Sequence, residues 1–327
     1  MRFDGGIRQV ATPLIPEDFT PLAEHCHTVQ FASRLTDAEM RALADFMSGY
    51  PDVRLRVYGG YDGSITDLEF LRFFPRIRRF SVDAIYELPS LDGIGHLSRD
   101  LEDLLIGRTR STRFSLTTLA RFSKLRTLYL EGQQKDIEAI GGLAGLEDLT
   151  LRSITLPDLS ALRPLRNLRS LDIKLGGTTD LRLLPGVGRL EYVELWMVRG
   201  LDDVSPLADV ATLQRFFLQS LKRVTRLPSF ASSPALRHVV LETMKGITDL
   251  RPLAEAPSLE VLALTDMRHL EPDDLRPFLG HPKLREGRWG FGSDRKNAEA
   301  WDLLPLGPKP FNYDAYKARL ARSTSKS

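Results

Sequence analysis

Cysteine is almost absent from this 327-residue chain: Cys26 stands alone, which excludes a disulfide framework and a cysteine-cluster metal site. Asparagine is nearly as scarce, with only Asn167, Asn297 and Asn312. No apolar run reaches 18 residues, and the opening MRFDGGIRQV lacks the apolar core of a signal peptide, so the expectation is a soluble, cytoplasmic protein. Net charge is small as well. The 45 basic and 43 acidic residues nearly cancel, which argues against a dedicated nucleic-acid binder with a large positive field. Catalytic signatures are missing: there is no G-x-x-x-x-G-K-[ST], G-x-S-x-G or H-E-x-x-H. His25-Cys26-His27 has no second ligand cluster to complete a metal site. Gly290-Phe291-Gly292-Ser293 lacks the strand–loop–helix setting of a phosphate cradle and reads as a turn. The expectation is a non-enzyme without cofactor or metal.

What is abundant is leucine, 55 residues, of which 41 fall between Leu101 and Leu284. Their spacing is regular. L-x-x-L-x-L occurs at Leu125/Leu128/Leu130 and recurs with starts at 77, 101, 125, 146, 168, 190, 213, 236 and 259, in steps of 21 to 24 residues. Leu55 and Val57 supply the last two positions of an earlier copy, and a degenerate copy runs from Leu284 to Trp289. A second motif follows the first. Asp203-Val204-Ser205-Pro206-Leu207, Asp249-Leu250-Arg251-Pro252-Leu253 and Asp274-Leu275-Arg276-Pro277-Phe278 share D-L-x-P-L, with partial forms at Asp67, Asp158 and Asp180. Aspartate can cap a short helical turn and proline is tolerated near its start.

Over about residues 52–290 the chain resembles the leucine-rich repeat proteins, most closely the short, roughly 22-residue class of the internalins. That resemblance implies an α/β solenoid: a horseshoe with a concave parallel β-sheet, a short helical or irregular convex side, and caps at both ends. One departure stands out. Three residues after each L-x-L the family usually carries Asn or Cys, but here the positions read Gln133, Ile154, Gly176, Val198, Leu221, Met244 and Met267. The asparagine ladder is absent, so the turn backbone must be satisfied in another way.

Stacked repeats leave an apolar cross-section at each end. Residues 1–51 are expected to form an N-terminal cap: a strand at Val29–Phe31, then a helix opened by the capping box Thr36-Asp37-Ala38-Glu39 and carrying Met40, Leu43 and Met47. A strand at Val53–Val57 should follow, leading into a solenoid of about ten repeats over residues 52–290. Residues 291–327 should form the C-terminal cap, with a helix from Asn297 to Leu304, another from Asn312 to near Leu320, and a disordered tail.

Because strand side chains alternate, the third, fifth and seventh positions of each L-x-x-L-x-L-x should face the concave surface. Tyr129, Tyr192, Trp196 and Phe217 then stand exposed among Glu131, Asp148, Asp172 and Glu194. Aromatic anchors with a polar surround fit a partner-binding face, and the acidic neighbours favour a partner with a basic patch. Near the N-terminus, Arg54, Arg56 and Arg79, with Arg108, Arg110 and Arg113 beyond, offer a possible anion-binding end. The function expected is non-catalytic protein–protein recognition by a protein that is monomeric when free. A bacterial adaptor or antitoxin-like immunity protein fits that description. Binding of nucleic acid or a phosphate ligand through the arginine-rich repeats is the alternative.

Overall fold

In the computed structural model, residues 6–110 and 114–307 are described. Arg113, the helix expected at Asn312–Leu320 and the tail lie outside the described residues. The chain forms two compact units, Met1–Gly176 with Val187–Arg189, and Gly177–Gly186 with Leu190–Ser327.

The first unit carries eight strands, β1 (Ile7–Gln9), β2 (Thr28–Phe31), β3 (Arg54–Tyr58), β4 (Arg79–Asp83), β5 (Asp103–Ile106), β6 (Thr127–Glu131), β7 (Asp148–Arg152) and β8 (Ser170–Lys174). Each pairs in parallel with the next in sequence order. The second carries β9 (Tyr192–Trp196), β10 (Arg215–Gln219), β11 (His238–Glu242), β12 (Val261–Thr265) and β13 (Glu286–Trp289), again parallel and in sequence order.

The repeat alignment and the strand register agree residue for residue. Leu128 lies opposite Leu149 and Leu149 opposite Leu171. In the second unit Val193, Phe216, Val239 and Leu262 line up in the same way. All of these are essentially inaccessible to water, while most of the alternate strand residues, on the other face, are half-buried. Each leucine so buried contributes about 2 kcal/mol of transfer free energy, and no single repeat could bury its set without a neighbour. The second half of most repeats closes as a 3₁₀ turn, and that after β11 as one α-helical turn, Arg251–Ala254. The aspartate proposed to cap it does so in five copies, its Oδ1 accepting from the N–H two residues on: Asp67 from Glu69 at 2.9 Å, Asp158 from Ser160 at 2.8 Å, Asp180 from Arg182 at 3.0 Å, Asp203 from Ser205 at 2.8 Å and Asp249 from Arg251 at 2.9 Å.

The missing asparagine ladder is replaced by backbone geometry. The residue immediately after the strand takes a left-handed conformation at Ala84, Gly132, Ser153, Leu175, Met197, Ser220, Thr243 and Asp266, with φ between 50° and 84°. The N–H of that residue extends the parallel ladder to the neighbouring repeat, and the left-handed φ after it turns the chain out of the strand. Ser153 donates to the carbonyl of Lys174 at 2.8 Å, Met197 to Gln219 at 2.9 Å, Ser220 to Glu242 at 3.0 Å and Thr243 to Thr265 at 3.0 Å. With that group satisfied, the following residue is free to be apolar, and Ile154, Val198, Leu221, Met244 and Met267 are all buried.

Both caps form. Helix α1 (Asp37–Met47) starts at the Thr36/Glu39 capping box and buries Met40, Leu43 and Met47. Two details differ from expectation. β1 adds a strand ahead of the expected first one; at three half-buried residues it is too short for alternation to reveal. At the other end α2 (Asp294–Leu303) begins three residues early, because Ser293 caps it by accepting from Lys296 N–H at 3.2 Å. Ala300 and Leu304 are buried there, and Trp289 Nε1 donates to the Leu304 carbonyl at 3.1 Å. Among the described residues no helix is long and apolar enough to cross a membrane.

Candidate partner-binding face

The face of each sheet opposite its leucine core carries the third, fifth and seventh positions, and the expected site residues divide between the two units. In the first, Tyr129 and Glu131 stand on β6, Asp148 on β7 and Asp172 on β8. Tyr129 is half-buried rather than exposed, and its hydroxyl donates to Glu131 Oε2 at 3.3 Å. Burial, reinforced by the negative charge of Glu131, pushes the phenol up to about 12. Glu131 also holds Arg152 Nε at 3.2 Å, and Asp172 holds Lys174 Nζ at 2.9 Å. Asp148 is exposed to solvent. The acidic character expected here is therefore largely neutralised by cations on the same face.

In the second unit, Tyr192, Glu194 and Trp196 share β9, and Phe217 lies on β10 directly beside Glu194. All four side chains are half-buried, against the expectation of exposed rings. The Tyr192 hydroxyl donates to Glu194 Oε2 at 3.0 Å, and the Arg215 guanidinium lies 5.7 Å from the Tyr192 ring centroid. Beside Trp196 sits Gln219, whose amide donates to Glu242 Oε1 at 2.8 Å. Phe217 is followed across the sheet by Val240 and the buried Ala263, which continues an apolar row. His238, next to Arg215, is held below the ordinary histidine range by burial and by the Arg215 charge, so it is neutral near pH 7. The repeat alignment located the aromatic rings. It put Arg215, Gln219 and His238 on the same face without singling them out, since they matter through cross-strand neighbours.

The arginines at the N-terminal end are already engaged. Arg56 bonds Asp83 through two nitrogens, at 2.8 and 2.6 Å, and donates to Gln30 Oε1 at 2.9 Å. Arg54 pairs with Asp103 two strands away. Arg79, half-buried on β4, has no ion-pair partner among the described residues. This leaves one guanidinium, rather than three, open to an anion there.

Little else invites chemistry. No group of three or more His, Cys, Asp or Glu is placed to hold a metal among the described residues. His25 and Cys26 line a recess of about 150 Å³ with Arg8, whose guanidinium is bonded to the carbonyls of Asp18, Thr20 and Pro21. The Gly290–Ser293 stretch is a capping turn: Asn297 Oδ1 accepts from Phe291 N–H at 2.7 Å, and Lys296 Nζ is tied to the Arg268 and Leu270 carbonyls and to Glu271.

No protein-family model and no curated protein sequence matches the chain. Solved structures do. An internalin of Listeria monocytogenes, inlF, matches with a TM-score of 0.55 at 14% identity, over 83% of this chain and 81% of that one. The functional domain of InlJ from the same organism, which includes a cysteine ladder, matches with a TM-score of 0.50 at 13% identity, over 80% of this chain and 57% of that one. A cysteine ladder has no counterpart in a chain with one cysteine. With the periodic leucines in register on parallel strands and internalins as structural neighbours, the fold is that of the leucine-rich repeat proteins.

Proposed function

We propose that this protein is a non-catalytic recognition scaffold that binds a partner protein through the sheet face opposite its leucine core. The observation that carries the reading is the arrangement on β9 and β10. Tyr192, Trp196 and Phe217 lie on adjacent strands, on the side of the sheet that contributes nothing to the leucine core. Glu194, Arg215 and Gln219 stand between and beside them. Large amphipathic rings fixed on rigid strands and rimmed by polar groups are the usual composition of a binding hot spot. The fold supports the same reading, since stacked repeats present an extended row of side chains from consecutive strands. Within this class we assign the role of an adaptor or an antitoxin-like immunity protein.

The test starts from the full chain used as bait in its own cells. The affinity of the recovered protein is then measured by titration calorimetry for the wild type and for Tyr192→Ala/Trp196→Ala. Loss of about 2 kcal/mol or more, the scale of aromatic hot spots, is the expected result. Equal affinity would remove the β9–β10 face from the reading.

A further inference from the structure

The edge of the second unit's sheet, where the strands end and turn, carries a repeated feature that the leucine pattern does not call for. Trp196, Gln219, Glu242 and Thr265 end β9 to β12 and lie in register. The next residues, Met197, Ser220, Thr243 and Asp266, share one backbone conformation, with φ of 50°, 53°, 52° and 51°. The residues after those, Val198, Leu221, Met244 and Met267, turn into the core. The third residue past each strand must then emerge, and it is a cation every time: Arg199, Lys222, Lys245 and Arg268, all exposed. In the first unit the corresponding places read Tyr61, Tyr86, Arg110, Gln134 and Thr155, so the repeat itself does not demand charge.

Many arginines in this protein are tied to a carboxylate within their own unit, as Arg56 is to Asp83 or Arg251 to Asp249. Three rungs of this ladder differ. Arg268 bonds Asp266 at 2.6 Å, but Arg199, Lys222 and Lys245 have no ion-pair partner among the described residues. Arg223 and Arg226, beside Lys222, have none either, and they share an open recess with Asp202 and Asp203. Asp203 is turned inward to its own capped turn and Asp249 to Arg251. Neighbouring turns follow the strand spacing of about 4.8 Å, so the four rungs span roughly 15 Å in single file. Met197, 41% exposed, adds an apolar step beside Arg199 and next to Trp196.

We infer that this edge binds an acidic amphipathic helix of a partner protein, with its carboxylates on the Arg199–Lys222–Lys245 ladder and its apolar side toward Met197 and Trp196. The inference rests on the partner-binding reading above and specifies the partner's chemistry. Acidic side chains at helix-turn spacing repeat about every 5.4 Å, close to the ladder's pitch. A nucleic acid fits less well. A single file of this length reaches only a few phosphates, whereas tight nucleic-acid binding draws on many. The sequence pointed instead to a basic partner, on acids that the structure finds held by Arg152 and Lys174.

The probe is a fluorescein-labelled synthetic helical peptide with Glu at every third and fourth position and Leu on the flank adjoining them, read by anisotropy at low ionic strength. The comparison is a single-stranded DNA oligonucleotide of equal charge. Arg199→Glu/Lys222→Glu/Lys245→Glu in the full chain is expected to weaken peptide binding at least about tenfold. Arg163→Glu/Arg166→Glu, exposed arginines of the first unit, is expected to leave it unchanged. All substituted side chains are exposed, and unchanged melting curves confirm that folding is intact. No peptide binding, equal loss in both variants, or tighter binding of the DNA would overturn the inference. Tyr192→Ala/Phe217→Ala, which leaves Trp196 in place, separates the two readings. Binding lost with the ladder but kept without the rings supports the ladder and counts against the aromatic face; the reverse overturns the ladder and leaves the aromatic face standing.

Discussion

Arg56 and Asp83 face each other across β3 and β4 in a two-pronged ion pair, with the Arg56 guanidinium also stacked 4.6 Å from the Tyr58 ring centroid. The pair is less than one-third exposed on both sides. A guanidinium so placed is positioned by its carboxylate, and removing that carboxylate strands a partly buried charge. Asp83→Ala should therefore cost about 1–3 kcal/mol in urea unfolding. Replacing both residues by apolar ones should recover much of that loss. A double-mutant cycle showing no coupling would mean that the pair is a solvated surface contact.

The left-handed residue after each strand makes a second prediction. A non-glycine residue there is strained by roughly 1–2 kcal/mol, and Met197 has φ of 50° while being largely open to solvent. Met197→Gly should raise the stability of the chain by up to about 1 kcal/mol, since relief of strain exceeds the added chain entropy of glycine. The converse holds at Gly132, which has φ of 84° and no atom within 4 Å of where a Cβ would sit. Gly132→Ala should cost about 1 kcal/mol through φ alone. Both are read as shifts in the denaturant midpoint.

Gln133 is a polar residue at the ladder position, where Ile154, Val198, Leu221, Met244 and Met267 are apolar, and it is buried. Its Nε2 donates to the Gly107 carbonyl at 3.2 Å, and its Oε1 accepts from Glu131 N–H at 3.0 Å. At this one repeat a side-chain amide does the work that a ladder asparagine would do. Gln133→Leu leaves both backbone groups without a partner and should destabilise by about 2 kcal/mol. The matching change at the next repeat, Ile154→Leu, should cost well under that, because no hydrogen bond is lost.

The strand register was legible because it depends on a period that the leucines write directly into the sequence. Leu128, Leu149 and Leu171 could be aligned by spacing alone, and alternation then assigned every outward residue to its face. The turns were not legible. A left-handed φ at Leu175 or Thr243 leaves no trace in residue type, since neither residue favours that region. Charge on the site face was misjudged for a related reason. Glu131 and Asp172 looked like free acids in one dimension, whereas Arg152 and Lys174 reach them only once strands pair and side chains fold back. Periodicity fixes where a side chain points; its neighbours decide what it can still do.

The N-terminal cap supplies a pH prediction. Glu39, three residues into the first helical turn, accepts from Thr36 N–H at 2.8 Å and Leu14 N–H at 2.9 Å, with the Thr12 and Thr36 hydroxyls also close. The Thr36 N–H bond is the largest influence holding its carboxyl below the usual glutamate range; partial desolvation opposes it and the Leu14 bond adds to it. A folded-state pKa below the unfolded one means stability that is fully present above the unfolded value and lost as pH falls through the folded one. Glu39→Gln should thus cost about 1 kcal/mol near neutral pH, the scale of a capping interaction. The difference between wild type and variant should shrink steadily below about pH 4. Thermal melts of both proteins at neutral and acid pH test this directly: a gap of constant size at every pH would show that Glu39 acts through packing and not through its charge.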